Sequence, residues 1–511
     1  MADYLESPLA CVWEVTMGCN MRCMHCGSSC KTSLPGELST AEALDLIDQM
    51  KEVGLRHVTL SGGEPTIRKD IFTLTEKLSD CGIDFSIISN GWLLDERTVE
   101  KARNAHVTYI AMSLDGLEGT HDTIRKRGAF ARVIRSLRIL KANGLKTGII
   151  TTVNKLNLHE LPAIGSLLVD EAVDYWQLQL ALPMGNMKSL MNDMVAEPRD
   201  ISTLLDYAYE FVQSHPNPQV FLADDIGYYT TKELAIKERV MSSDDAIWPG
   251  CGAGKTGFGI LHNGDVVPCT SLRNPGFVEG NIRIDRLTDI WNHRFARFRD
   301  FTEEQLTGFC SDCAFSPVCL GGCSNSRYCL QGSINADNPY CVYSYTVQTA
   351  VNNVPIPNNI VDARKLIEQY SDEGNYQVLN AFVQRLLPEY VSSVDEHTYL
   401  LNILAYTFFR LGLFDKAVKT CQSILIEDPK NIQALHGLGL SLCELGMIEE
   451  GQKQLYECIN QTECVDMEPF KDLLVLLMQE GNLKEADKVL SLARMRDPGF
   501  ALPETISESR V

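Results

Sequence analysis

The sequence predicts an α/β chain built on a parallel sheet, followed by a small cysteine-rich segment and an all-α repeat region. Three observations carry this. From Trp13 to about residue 235, short β-branched runs alternate with longer amphipathic stretches, the pattern of repeated β-α units. Between Cys251 and Cys341 the cysteines cluster at fixed spacings. Beyond residue 360 a helical pattern repeats, with Gly412, Gly446 and Gly481 marking a period of 34 to 35 residues. A length of 511 residues suits about three domains on a prior of roughly 150 residues each. They are expected at 8–235, 240–350 and 355–505.

With 45% apolar and 22% charged residues the chain has the composition of a globular protein. Its net charge of -21 argues against nucleic acid or an acidic membrane face as partner, since both need a basic surface. The N-terminus MADYLESPLA lacks the basic and apolar regions of a secretory signal, and no later stretch gives about 18 uninterrupted apolar residues. A cytoplasmic location is expected. In that reducing compartment, 18 cysteines point to metal sites.

Strands are expected at 12–16, 57–60, 85–89, 109–114, 147–153 and 175–180. In parallel α/β architectures functional residues gather at the carboxyl ends of strands. The first such end is WEVTMGCNMRCMHC, which holds Cys19, Cys23 and Cys26. Three thiolates at C-x3-C-x2-C leave one iron of a 4Fe-4S cluster open to a small ligand. Zinc with His25 as fourth ligand is a competing reading, but one short loop would have trouble aiming consecutive donors at one ion. A disulfide plus a spare thiol is another, and it needs an oxidising compartment.

On these residues the chain resembles the radical S-adenosylmethionine (SAM) superfamily. The resemblance implies a partial (β/α)6 TIM-like barrel and SAM bound to the open iron. Its chemistry is a 5'-deoxyadenosyl radical that abstracts hydrogen from substrate, with an external electron donor of flavodoxin or ferredoxin type. The second strand ends in Ser61-Gly62-Gly63-Glu64-Pro65, similar to the family's GGEP element, which implies contacts to the SAM amino group from Gly62, Gly63, Glu64 and Pro65. Ser89 and Asn90 after the third strand, and Ser113 and Asp115 after the fourth, are similar to segments that contact ribose and adenine. Taken alone, each is an ordinary strand-ending turn. His121-Asp122-Thr123-Ile124-Arg125 is similar to an H-D-x-x-R run of the SPASM branch, which implies that Arg125 pairs with the SAM carboxylate. Family members usually show Gly directly after that Arg, whereas Lys126 and Arg127 precede Gly128 here. Arg127, Arg132, Arg135 and Arg138 read as a solvated helix face.

The second segment reads Cys251, twelve residues, Gly264, four residues, Cys269, then Cys310-x2-Cys313-x5-Cys319-x3-Cys323, then Cys341. This matches the seven-cysteine pattern of the SPASM domain. The zinc-ribbon reading accounts for C-x2-C but not for the x5 and x3 spacings. Asn263-Gly264-Asp265 between apolar residues predicts a hairpin. The resemblance implies one auxiliary cluster on Cys310, Cys313, Cys319 and Cys341 and another on Cys251, Cys269 and Cys323, three 4Fe-4S clusters in all. Seven cysteines for two clusters leave one iron position open to water, Cys329, a side chain or the substrate. Cys11, Cys30 and Cys81 are expected to be small buried hydrophobes.

In the third segment Leu404, Leu438 and Leu473 precede the repeated glycines, Ala417, Gly451 and Ala486 follow them, and Pro429 and Pro498 close two units. This resembles the tetratricopeptide repeat, with a degenerate further unit at 360–395. Cys421, Cys443, Cys458 and Cys464 are expected to be packing residues. Such arrays dock peptides or proteins, or serve as a purely structural cap.

The resemblance implies a maturase that abstracts hydrogen from a residue of a ribosomally made peptide and forms a carbon-carbon or thioether crosslink. Other readings are oxidation of a protein Cys or Ser to formylglycine, dehydrogenation of a small molecule, and a non-catalytic iron-sulfur scaffold. The formylglycine branch carries Asp where Thr270 follows Cys269 here. About ten residues precede the first strand, so a leader-recognition domain is expected to be absent and recognition to fall to the repeats or to a partner. The sequence identifies no general base.

Overall fold

Alternation along the strands decides what each face of the central sheet does. In a computed structural model the described residues are 6–223, 226–242, 246, 250–461 and 465–501. Ten strands form one sheet: β1 (Ala10–Thr16), β2 (His57–Gly62), β3 (Asp84–Ser89), β4 (Tyr109–Ser113), β5 (Thr147–Val153), β6 (Tyr175–Leu180), β7 (Gln219–Leu222), β8 (Gly257–Ile260), β9 (Asp265–Val267) and β10 (Gly280–Asn281). Their order is β10-β9-β8-β1-β2-β3-β4-β5-β6-β7. Strands β1 to β7 pair in parallel in sequence order. This is the expected partial barrel, extended by β7 and, on the other edge, by β8 parallel to β1.

One face of each of the strands β1 to β9 is apolar and buried. Trp13, Val58, Leu60, Ile110, Met112, Trp176 and Leu178 belong to one core, shared with the helices Thr40–Glu52, Ile71–Asp80, Ala129–Ala142 and Leu161–Asp170. Successive side chains on a strand point to opposite faces, so the intervening residues look the other way. They are Val12, Glu14, Thr59, Ser61, Ala111, Ser113, Thr152, Gln177 and Gln179, and they line a cavity. Helix boundaries follow local chemistry, as at Thr40–Glu52, where Ser39 and Glu42 form a reciprocal capping box.

The hairpin expected at Asn263-Gly264-Asp265 joins β8 and β9, which are antiparallel. Gly264 takes φ +85° at the turn. A side chain on Gly257 would stand 2.6 Å from the Ala10 carbonyl, so glycine lets β8 lie against β1.

Two compact units divide the chain: 1–311 with 315–345, and 312–314 with 346–511. The segment 8–235 and all of 240–350 except 312–314 and 346–350 therefore share one unit, because β8 to β10 continue the barrel's sheet. Within the second unit, helices Ile360–Asp372, Tyr376–Leu386, Val394–Arg410, Phe414–Glu427, Ile432–Glu444, Ile448–Asn460, Glu468–Gln479 and Leu483–Arg496 pack on their sequence neighbours. Gly374, Gly412, Gly446 and Gly481 stand at φ +68°, +75°, +81° and +74° in the turns between paired helices. Ala417 and Ala486 are buried, and Gly451 lets two helices meet, since a side chain there would stand 2.6 Å from the Gly439 carbonyl. Cys421 and Cys458 are buried, Cys443 is half-buried, and Cys464 lies outside the described residues. Asp312–Ala314 is held in this unit by Gln377, whose Nε2 donates to the Asp312 carbonyl at 2.9 Å and whose Oε1 accepts from Ala314 N at 3.1 Å. Gln384 Nε2 donates to Asp312 Oδ2 at 2.7 Å, and Lys416 forms an ion pair with the same carboxylate. Among the described residues no helix is long and apolar enough to cross a membrane.

Candidate functional site

The loop after β1 is pinned before it reaches its first cysteine. Cys19 N donates to the Lys31 carbonyl at 3.0 Å, which closes the loop's neck. Gly63 N donates to Thr16 O at 2.7 Å and Glu64 N to Gly18 O at 2.9 Å, so the end of β2 lies flat against that neck. Glycine is required for this approach: a Cβ on Gly63 would stand 2.0 Å from the Gly18 carbonyl, and Gly62 sits at φ +127°. From the other side Asn186 N reaches the Cys26 carbonyl at 3.0 Å and Asn186 Nδ2 the Cys23 carbonyl at 2.9 Å.

Cys19, Cys23 and Cys26 open into a cavity of about 1020 Å³ together with Gly62, Gly63, Ser89, Asn90, Ser113 and Arg125. Cys23 lies within electrostatic reach of both Cys19 and Cys26. Burial pushes the Cys23 thiol up to about 11 against the pull of Arg125, whose Nη1 donates to its sulfur at 3.8 Å. Burial raises Cys19 as well. Cys26 is drawn down to about 5, first by a hydrogen bond from Cys30. Cys30, expected only to pack, is buried and also lines the cavity. Three cysteines lining one cavity, backed by a glycine cradle, have the chemistry to hold the cluster and SAM that the resemblance implies; when bound, these would supply a 5'-deoxyadenosyl radical.

Glu64, Pro65 and Asp115 stand behind the cavity wall rather than in its lining. Glu64 is fully buried and accepts from Ser89 Oγ at 2.9 Å, Asn90 N at 2.7 Å and Thr66 Oγ1 at 2.6 Å, which ties the ends of β2 and β3 together. Its burial raises the carboxyl, and those donors offset part of the rise. Asn90 in turn donates to Asn20 Oδ1 at 2.7 Å and to Cys19 Sγ at 3.9 Å. Asp115 receives Thr152 N at 2.9 Å on one oxygen, while the other meets His25 Nε2 at 2.7 Å and Arg125 Nε. Burial would raise the Asp115 carboxyl, but Arg125 and His25 outweigh it and hold it well below the usual carboxylate range.

The opposite wall comes from the cysteine-rich segment, where Cys269, Thr270, Ser271, Arg273 and Asn325 line the same cavity. Arg273 binds both carboxylate oxygens of Glu14, with Nη1 to Oε2 at 2.8 Å, and its Nη2 reaches Ser28 Oγ at 2.5 Å. Cys251, Cys310, Cys313, Cys319, Cys323 and Cys341 lie outside the lining. Cys310 interacts electrostatically with Cys341, Cys323 caps the helix Ser324–Gln331, and Cys313 belongs to the second unit. Cys329 donates to Asn325 Oδ1 at 3.3 Å. None of the described cysteines forms a disulfide.

Sequence reasoning passed over Glu14, Arg273, Gln177 and Gln179. The last two had a signal, the alternation in YWQLQL at 175–180, which turns both amides to one face. Gln177 Nε2 donates to Gln179 Oε1 and Gln179 Nε2 to Thr152 Oγ1, both at 3.0 Å, so a chain of amides crosses the cavity floor.

Residues 13–168 match the family model of the radical SAM superfamily, and residues 251–314 match that of the SPASM iron-sulfur cluster-binding domain. The chain is 33% identical over 355 residues to the AdoMet-dependent heme synthase of Methanosarcina barkeri, across 67% of this chain and 99% of that protein. It is 26% identical to the mycofactocin maturase MftC of Mycobacterium ulcerans, across 70% of this chain and 94% of the relative. Its fold is similar to that of SuiB of Streptococcus suis, solved with its precursor peptide SuiA, at TM-score 0.54 and 20% identity, covering 66% of this chain and 76% of that one. The cysteine-bearing cavity on one face of the sheet, the two family models and the match to 99% of a relative's length together establish that this chain is an enzyme of the radical SAM superfamily, in the branch that carries a SPASM iron-sulfur cluster-binding domain.

Proposed function

We propose that the enzyme abstracts hydrogen from a residue of a peptide and forms a carbon-carbon or thioether crosslink. Cys19, Cys23 and Cys26 hold the SAM-binding cluster, and the SPASM cysteines hold two auxiliary 4Fe-4S clusters. The one on Cys251, Cys269 and Cys323 lies nearer the substrate, because Cys269 faces the cavity. A flavodoxin or ferredoxin supplies the electron, and the helical repeats dock the peptide or its carrier protein.

The observation that carries this reading is the charge and amide pattern of the lining. Among the described residues, Arg125 and Arg273 are the lysine or arginine side chains that line the cavity, and each is paired with a buried carboxylate, Asp115 and Glu14. A tetrapyrrole bearing several propionates needs unpaired cations. A peptide needs neutral donors and acceptors, which Gln177, Gln179, Asn90, Asn325 and Thr152 supply. Similarity to a heme synthase makes heme synthesis the second reading.

One experiment separates the two. The reconstituted protein, SAM and a reductant are incubated with a short peptide encoded beside its gene or with Fe-coproporphyrin III. Stoichiometric 5'-deoxyadenosine with a peptide lighter by two hydrogens is the expected result. Conversion of the porphyrin to heme, with no change in the peptide, would overturn the peptide reading.

A further inference from the structure

We propose that Glu14 is the general base of the reaction, a carboxylate on β1 that takes the proton the substrate must lose when its radical closes to product. This rests on the peptide reading above. Crosslinking removes two hydrogens, and hydrogen abstraction accounts for one of them. The other leaves as a proton and an electron. The breaking bond is X–H of the attacking thiol or carbon, and the forming bond is C–X. The electron pair of X–H enters the new bond, the proton goes to an Oε of Glu14, and the odd electron passes to a one-electron acceptor of the iron-sulfur class.

Position and chemistry single out this residue. Glu14 is the one carboxylate lining the cavity among the described residues, because Glu64 and Asp115 face away behind its wall. It points from the sheet between the two cysteine loops: Ser28, two residues past Cys26, lies 3.4 Å from Oε1, and Arg273, four residues past Cys269, closes over it. Proton and electron would thus leave on the same side of the substrate. Thr270, on the Cys269 loop, cannot act as a carboxylate base.

Arg273 does not exhaust Glu14. A carboxylate offers about four acceptor sites, and the guanidinium and Ser28 occupy three. Arg273 is a positioning residue: its two contacts fix the plane of the carboxylate and hold it to the loop of Cys26. A buried carboxylate held by arginine on a strand is otherwise a strut between β1 and the loop after Cys269, and the test must separate strut from base.

Full-length reconstituted enzyme is prepared as wild type, Glu14→Gln, Arg273→Gln and the double variant, each checked for iron content. The probe is the peptide turned over in the preceding experiment. Glu14→Gln is expected to raise the ratio of 5'-deoxyadenosine to crosslinked peptide by about 10²-fold or more, the usual size of general-base catalysis. Arg273→Gln breaks the strut yet keeps the carboxylate, so its ratio should rise far less. The double variant removes the unpaired guanidinium, so it guards against misfolding and should behave like Glu14→Gln. Acetate added to Glu14→Ala should restore part of the product. Equal ratios in Glu14→Gln and Arg273→Gln, or an unchanged ratio in Glu14→Gln, would overturn the proposal. If wild type turns over no peptide, the peptide reading fails and this inference falls with it.

Discussion

His25 Nε2 lies 2.7 Å from Asp115 Oδ2, across 90 residues of chain, and that same oxygen also accepts Arg125 Nε. One buried carboxylate therefore fixes a residue between two of the triad cysteines and the arginine that reaches Cys23. Losing one partner of a buried pair leaves an uncompensated charge, at about 3–5 kcal/mol. Asp115→Asn should cost about 3 kcal/mol in urea unfolding and lower iron bound at the triad. No tryptophan lies beyond residue 291, and the described ones, Trp13, Trp92, Trp176 and Trp291, belong to the first unit, whose unfolding their fluorescence reports.

Acid should weaken the same region through His121. Burial, then Arg125, pushes its pKa down to about 4, and its Nδ1 accepts from Asp115 N at 3.0 Å. An unfolded histidine takes its proton near pH 6.5. Between those values the unfolded state binds more protons, so stability falls as pH is lowered through the window. The expected loss is about 3 kcal/mol between pH 7 and 4. Urea midpoints of His121→Asn should show a correspondingly shallower slope, and an identical slope would show that another group sets it.

Replacing Cys23 with Ala should remove the SAM-sensitive part of the EPR signal and abolish 5'-deoxyadenosine, while the SPASM cysteines keep their iron. Continued SAM cleavage in that variant would exclude the triad as the cluster's holder.

Gly63→Ala tests the cradle. The added methyl meets the Gly18 carbonyl at 2.0 Å, a backbone atom that cannot rotate away. The neck of the cysteine loop must shift, and misplacement of about 1 Å at a reacting centre costs about 10²-fold. SAM cleavage should fall by that order with the far-ultraviolet circular dichroism unchanged.

In the helical unit, Gly451→Val should loosen one helix pair. Its side chain would collide with Cys443 Sγ and the Gly439 carbonyl, an overpacking that costs about 1–3 kcal/mol. Hydrogen exchange should quicken in Ile432–Glu444 and Ile448–Asn460, with tryptophan fluorescence unmoved.

Much of this architecture was readable in the chain because its signals are local. Six strands lie where β-branched runs place them, and Gly412, Gly446 and Gly481 mark helix turns because a left-handed residue is needed there. That Cys19, Cys23 and Cys26 line one cavity follows from their falling within eight residues. What escaped is long-range pairing. Nothing local links Glu14 to Arg273, 259 residues on, and no pattern shows that Glu64 and Asp115 turn away from the cavity to brace its loops. Strand β7 escaped because four residues make too short a run.

The three residues Asp312–Ala314 bear on how the protein is born. They belong to the helical unit, yet the chain on both sides belongs to the other. Their partners Gln377, Gln384 and Lys416 lie 65, 72 and 104 residues downstream of Asp312. Ribosomes add about 5–20 residues each second. Residues 312–314 must therefore wait several seconds before these supports emerge. The seating of Asp312–Ala314 is thus a late event, completed only once Lys416 has been made.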